Sequence, residues 1–274
     1  MIKRLFLIFI LVNLLINLVL FSCKRDKQSE EKEKTQTPST TPKFQQLKLK
    51  LIREIPHAGD KRYTQGFEFY NGILYESTGL DNQSSLKKID PATGELLLSK
   101  DLNNFFAEGI TIYNGYITLI SYRAGKAFSY HPEDLSEKGI AFDYDTEGWG
   151  LANNGSQYIM SDGSDKIYFR NPFSFKVERT INVKYKGRPV HYVNELEYVD
   201  GKIYANIYGT KNILVINENT GKVEAEIDAS SILCSHLSGA NPEAVLNGIA
   251  YNPESKTFFI TGKECPNIYE VVFE

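Results

Sequence analysis

The chain has 274 residues, of which 42% are apolar and 24% charged, so it can bury a real core as one large β domain or two ordinary ones. Its formal charge is −3, and losing residues 1–22, which hold Lys3 and Arg4 and no acid, takes it to −5. That balance excludes nucleic acid as an expected partner.

In chain order, residues 1–22 combine a basic start with an apolar run from Leu5 to Phe21 that only Asn13 and Asn17 interrupt. This is the pattern of an export signal. The run ends in "LFSC", which resembles the lipobox of bacterial lipoproteins, so Cys23 is expected to be the lipidated first residue of the exported chain. Acyl chains there would anchor it to a lipid membrane, and the expected location is the bacterial cell envelope. Residues 24–42, "KRDKQSEEKEKTQTPSTTP", contain no apolar residue and are expected to form a solvated tether. With Cys23 and Lys43 this segment spans 23–43, and the folded domain is expected over 44–274.

Five similar stretches follow: "TQGFEFYNGILYESTG" (64–79), "AEGITIYNGYITLISY" (107–122), "TEGWGLANNGSQYIMSDG" (146–163), "NELEYVDGKIYANIYG" (194–209) and "LNGIAYNPESKTFFITGK" (246–263). Each has two runs of alternating apolar residues around an Asn-Gly, Asp-Gly, Asn-Asn-Gly or Asn-Pro turn, which predicts a β-hairpin. Two further strand-like pieces follow each of the first four hairpins, giving four strands in about 40–53 residues, the size of a propeller blade. The prediction is an all-β, five-bladed β-propeller. After the fifth hairpin only "NIYEVVFE" (267–274) remains, one strand short. The alternating segment "QLKLKLIREI" (46–55) is therefore expected to join the last blade and close the ring, removing an exposed edge. A monomer is expected.

In a propeller, residues that open equivalent strands meet around the axis. Here they are Gln65, Glu108, Glu147, Asn194 with Glu195, and Asn247, a ring suited either to a small-molecule site or to satisfying buried backbone groups. Gly66, Gly109, Gly148 and Gly248 are expected to allow close approach of the strands. Trp149, between two glycines, is placed either to face a ligand or to pack between blades. Cys234 and Cys265 can form a disulfide in an exported protein. Together with His57, His131, His191 and His236, they show no metal-ligand spacing.

In order along residues 60–272, the stretches "YTQGFEF", "LYESTG", "FAEGIT", "EGWGL", "MSDGS", "VNELEYV", "YANIY", "LNGIA" and "TGK" resemble the glutaminyl-peptide cyclotransferases of the plant and bacterial β-propeller type. The resemblance implies conversion of an N-terminal glutaminyl residue of a peptide or protein to 5-oxoproline, with loss of ammonia. It places the catalytic acid/base on Glu108. Substrate-binding positions fall on Tyr63, Gln65, Phe106, Tyr122, Trp149, Asn194, Tyr208 and Lys263. Tyr63 stands where the family more often has Phe, and Tyr122 and Tyr208 where it has Trp. Cys265 likewise replaces a usual Trp.

The chemistry makes its own demands. The substrate amine must be neutral to attack its side-chain amide carbon, and the amide nitrogen must gain a proton to leave, so one carboxyl group can serve both steps. A desolvated Glu108 walled by aromatic residues fits, with Asn194, Gln65 and Lys263 as candidate donors to the oxyanion. No cofactor is required for that chemistry, and a structural calcium ion in the channel stays open. The rival expectations are a non-catalytic propeller lipoprotein that binds peptides or partners, and a lactonase-like propeller with a central metal.

Overall fold

The structure, a computed structural model, describes residues 43–59, 62–232 and 243–274. The export signal, Cys23, most of the tether, Cys234 and His236 lie outside the described residues. Within them the chain is all-β and contains no helix.

Strand β1 (Gln45–Pro56) precedes three four-stranded antiparallel sheets. The first is β2 (Thr64–Tyr70), β3 (Ile73–Thr78), β4 (Ser84–Ile89) and β5 (Leu96–Leu102). The second is β6 (Ala107–Tyr113), β7 (Tyr116–Ser121), β8 (Lys126–Tyr130) and β9 (Glu137–Asp143). The third is β10 (Leu151–Asn153), β11 (Tyr158–Ser161), β12 (Lys166–Arg170) and β13 (Val177–Asn182). A short hairpin, β14 (Lys184–Tyr185) and β15 (Arg188–Pro189), leads to β16 (Val193–Val199), β17 (Lys202–Ile207), β18 (Asn212–Asn217) and β19 (Val223–Asp228). The last strands are β20 (Leu246–Asn252), β21 (Thr257–Gly262) and β22 (Asn267–Phe273).

Turn chemistry sets the hairpins as the sequence predicts. Asn71-Gly72, Asn114-Gly115 and Asp200-Gly201 all have positive φ at both residues, the requirement of a type I′ turn, whose twist matches that of the flanking strands.

The first and last strands of the described residues meet. Strand β1 runs antiparallel to β22 from Leu49 opposite Phe273 to Pro56 opposite Asn267, as expected from the missing fourth strand. It does more than expected: its first residues, Gln45 to Lys48, also pair in parallel with β19. The units β16–β19 and β20–β22 thereby become one eight-stranded sheet with β1 in its middle.

Among the described residues, apolar side chains gather in five clusters, each between two successive units. Tyr75, Leu86 and Ile110 lie in the cluster between the first and second, Ile120 and Met160 between the second and third, and Phe169 and Ile203 between the third and fourth. Ile213 and Ile260 are in the cluster between the fourth and the last. Ile55, Phe67 and Phe259 join the last unit to the first. The first strands follow the same cycle, since β2 packs on β6 and β20, β6 on β10, β10 on β16, and β16 on β20.

These first strands do not form ladders with one another, so side chains must satisfy much of their backbone. Glu195 accepts from the N–H groups of Phe67 and Ile249 at 3.3 and 2.8 Å. Glu197 accepts from Tyr251 N–H at 2.8 Å, and Glu68 from the Thr111 hydroxyl at 2.9 Å. Glu197 and Glu68 thus each join two units, and Glu195 joins three.

Candidate active site

Each first strand begins, and each second strand ends, at the same end of this cycle. The pairing register identifies the equivalent positions: Ile110 opposite Leu119, Leu151 opposite Met160, Leu196 opposite Ala205 and Ile249 opposite Ile260. One residue before Ile110 and before Leu151 the neighbouring strand comes very close. A Cβ on Gly109 would meet the Leu151 nitrogen at 2.4 Å, and one on Gly150 the Asn194 carbonyl oxygen at 2.1 Å.

The ring one residue further out is therefore Gln65, Glu108, Trp149, Asn194 and Asn247. This corrects the sequence expectation for the third unit. There the ring position belongs to Trp149 and the glycine that follows it is Gly150; Gly148 also allows a close approach, since a Cβ on it would meet the Ser121 carbonyl oxygen at 2.5 Å. Glu147 lies outside the ring, its side chain 37% exposed. The misreading is a slip of two residues inside "EGWGL", which preserves the alternation of a strand and so leaves no trace in the apolar pattern.

A cavity of about 270 Å³ opens at this end. Its lining is Tyr63, Gln65, Phe106, Glu108, Tyr122, Trp149, Asn194, Tyr208, Glu243 and Lys263. All nine catalytic and substrate-binding positions expected from the sequence come together here. Glu243 is the addition. It lies just before β20, outside every hairpin repeat.

Polar groups form the floor. Glu108, Gln65, Asn194 and Lys263 are all buried. Gln65 Nε2 donates to Glu108 Oε1 at 3.1 Å, and the Gln65 oxygen accepts from Asn247 Nδ2 at 3.4 Å. The Asn194 Oδ1 is buried without a hydrogen-bond partner among the described residues, which suits a group that completes its bonding with a ligand. Burial pushes the Glu108 carboxyl well above the usual carboxylate range; Lys263 opposes this and Glu147 adds to it. Burial holds Lys263 below its ordinary value, against the attraction of Glu108 and Glu243.

Aromatic side chains form the wall as a chain of edge and tilted contacts. Tyr63 meets Phe106 at 6.4 Å between ring centres, Phe106 meets Tyr122 at 5.6 Å, Tyr122 meets Trp149 at 6.5 Å and Trp149 meets Tyr208 at 6.1 Å. Such pairs fix ring orientations as well as burying area. Glu147 supports this wall from outside, accepting from Trp149 Nε1 at 3.1 Å and from Arg123 Nε at 2.9 Å. Arg123 in turn lies over the Tyr122 ring, 4.5 Å from its centre.

Behind the floor, Glu76 accepts from Lys87 at 3.1 Å and from the Thr64 hydroxyl at 2.6 Å, with His57 Nε2 at 3.2 Å. Against the cost of burial, His57 and Lys87 hold Glu76 down to about 2. His57 is thus a buried structural partner. Cys265 is buried and disulfide-bonded. Among the described residues no group of three or more His, Cys, Asp or Glu is arranged to hold a metal ion.

Taken together, these features define an all-β protein with a small aromatic-walled cavity built over a buried carboxyl group. The sequence model of the glutamine cyclotransferase family matches residues 17–273. The glutaminyl-peptide cyclotransferase of Arabidopsis thaliana is 34% identical over 226 residues, covering 81% of this chain and 70% of that protein. The crystal structure of Myxococcus xanthus glutaminyl cyclase superposes with a TM-score of 0.77 at 35% identity, over 84% of this chain and 97% of that one. The chain belongs to the glutamine cyclotransferase family.

Proposed function

We propose that this chain is a glutaminyl-peptide cyclotransferase on a five-bladed β-propeller, acting on peptides or proteins that begin with glutamine. The propeller reading is supported by the cyclic packing of five first strands and by the five apolar clusters between successive units. The observation that carries the function is the position of Glu108: buried, raised in proton affinity, aimed by Gln65, and enclosed by the aromatic wall.

In the reaction the substrate's α-nitrogen bonds to its own side-chain carbonyl carbon, and the bond from that carbon to the amide nitrogen breaks. The Glu108 carboxylate takes the proton that the attacking amine sheds and returns it to the departing nitrogen, which leaves as ammonia, so the enzyme is unchanged over the cycle. Charge on the carbonyl oxygen is met by donors on the floor, with Lys263, Asn194 and Gln65 the groups available. The aromatic wall holds the glutamine side chain folded towards its own amine, which removes entropy in advance of ring closure.

The test is direct. The chain is incubated with a short Gln-initiated peptide, and ammonia release is measured together with the loss of one ammonia from the peptide mass. A correctly folded chain that releases none overturns the reading.

On sequence grounds the proposal extends to residues 1–22 as an export signal, to Cys23 as a lipidated residue and to the bacterial envelope as the location. A Cys23→Ser chain that still labels with fatty acid would exclude the lipid anchor.

A further inference from the structure

The aromatic wall is not a closed ring. It runs from Tyr63 through Phe106, Tyr122 and Trp149 to Tyr208, and the two ends are bridged by a carboxylate. Glu243 Oε2 accepts from the Tyr63 hydroxyl at 2.6 Å and from the Tyr208 hydroxyl at 3.2 Å. Lys263 lies at this junction, its Nζ 4.7 Å from the centre of the Tyr63 ring and 5.0 Å from that of Tyr208. The ammonium therefore faces two phenol rings whose hydroxyls are tied to the same oxygen.

We propose that Glu243 is a positioning residue for the cyclisation reaction: it closes the aromatic wall and, through Tyr63 and Tyr208, fixes the Lys263 ammonium over the cavity floor. The proposal rests on the functional reading above for its kinetic consequences, though not for the cage itself. The phenols contribute only because they are tyrosines. Phenylalanine or tryptophan at 63 and 208 would offer a carboxylate at 243 no hydroxyl, so the three residues work as a set.

Two effects combine. A carboxylate holds the phenols by charge-assisted hydrogen bonds, which are shorter and stronger than neutral ones. Two oriented ring faces then hold the cation by its attraction to their π-electrons. The charge of Glu243 also favours the ammonium form of Lys263, which burial disfavours. Among the described residues, the charged or titratable groups that face Lys263 are Glu108 from β6, Glu243 from the segment before β20, and the phenols of Tyr63 and Tyr208.

The experiment uses the full chain and two readouts. The first is the pH profile of kcat/KM on a Gln-initiated peptide for wild type, Glu243→Gln, Glu243→Ala and the double variant Tyr63→Phe/Tyr208→Phe. Loss of the charge in Glu243→Gln moves the alkaline limb to lower pH by roughly half a unit to one unit, and kcat falls more than KM rises. The double variant keeps that limb closer to its wild-type position. Adding Glu243→Ala to the double variant costs less than it does in wild type, because the linkage is already cut. The second readout needs no turnover: competitive acylation of the Lys263 amine, mapped by mass spectrometry across pH. Half-reactivity moves to lower pH in Glu243→Gln.

An unshifted acylation profile overturns the proposal, as does a Glu243→Ala cost that is equal in both backgrounds. If wild type releases no ammonia but the Lys263 profile shifts, the cage stands and the cyclotransferase reading falls.

Discussion

Gln65 donates a 3.1 Å hydrogen bond from its Nε2 to Oε1 of Glu108, so one ring residue aims the carboxyl group of the next. That bond also separates Glu108 from the other buried carboxylates. Glu195 and Glu197 point at backbone N–H groups of neighbouring strands, which fits them for holding the units together and leaves Glu108 as the carboxyl on the cavity floor.

Replacing Glu108 with Gln keeps the shape of the floor and removes the group that carries the proton. Turnover should fall by roughly two to four orders of magnitude, the usual worth of a positioned acid or base. The melting temperature should stay close to wild type, since a buried carboxyl in its protonated form and an amide are near isosteres. Ammonia release near the wild-type rate from a folded Glu108→Gln chain would assign Glu108 to structure alone.

Trp149 touches its surroundings as a wall, its ring half-buried between Tyr122 and Tyr208. Trp149→Ala should raise KM more than it lowers kcat, because a surface that holds substrate and transition state alike acts mainly on binding. Glu147→Gln, which weakens the hold on Trp149 Nε1 and frees Arg123, should give a milder change of the same kind. A variant of Trp149 that loses kcat with KM unaltered would place the indole in the chemical step.

Removing residues 44–56 deletes β1 and exposes β19 and β22 together. The truncated chain should aggregate or melt without a cooperative transition, since open strand edges template pairing between molecules. Removing 24–42 should leave melting unchanged. Cooperative melting and full solubility without 44–56 would show that the sheet closes by other means.

Burial pushes Glu197 up to about 8, and Glu68 and Glu195 also stand well above the usual carboxylate range. The folded state therefore keeps protons that the unfolded chain gives up near the ordinary carboxylate value. Stability from these groups is present in mild acid and is lost as pH rises through the folded value, so the melting temperature should fall between about pH 5 and about pH 8. Glu197→Gln should flatten that slope, which scanning calorimetry across pH can measure. Glu76 works in the opposite window: its contribution is present above the ordinary carboxylate value and disappears as pH falls towards about 2.

Hairpins, turn types and the use of "QLKLKLIREI" as a closing strand were all legible in the sequence, because each depends on local alternation or on residues that tolerate positive φ. The nine cavity positions were legible through the family's motifs. Two features were not. The displacement of Glu147 by Trp149 is a two-residue slip within a Gly-rich stretch, and alternation with period two cannot register it. Glu243 sits in no repeat, and its importance arises from two hydroxyls, Tyr63 and Tyr208, that lie 180 and 35 residues away. The only signal pointing there was the departure of both positions from the aromatic residues expected. The second pairing of β1, with β19, was hidden because strand patterns state that an edge is needed but not how many neighbours a strand will find.

The double pairing of β1 also fixes when the molecule can become complete. Leu49 reaches its partner only when Phe273 has been made, so the first strand of the domain must wait through the synthesis of nearly the whole chain. Contacts between such distant segments are entropically costly to form and slow folding. Until they form, the four strands of the first sheet can hold only their own hairpins and the cluster they share with the second. A chain obliged to wait for its own end stays open for longer, and that delay suits a polypeptide whose first residues resemble an address for export.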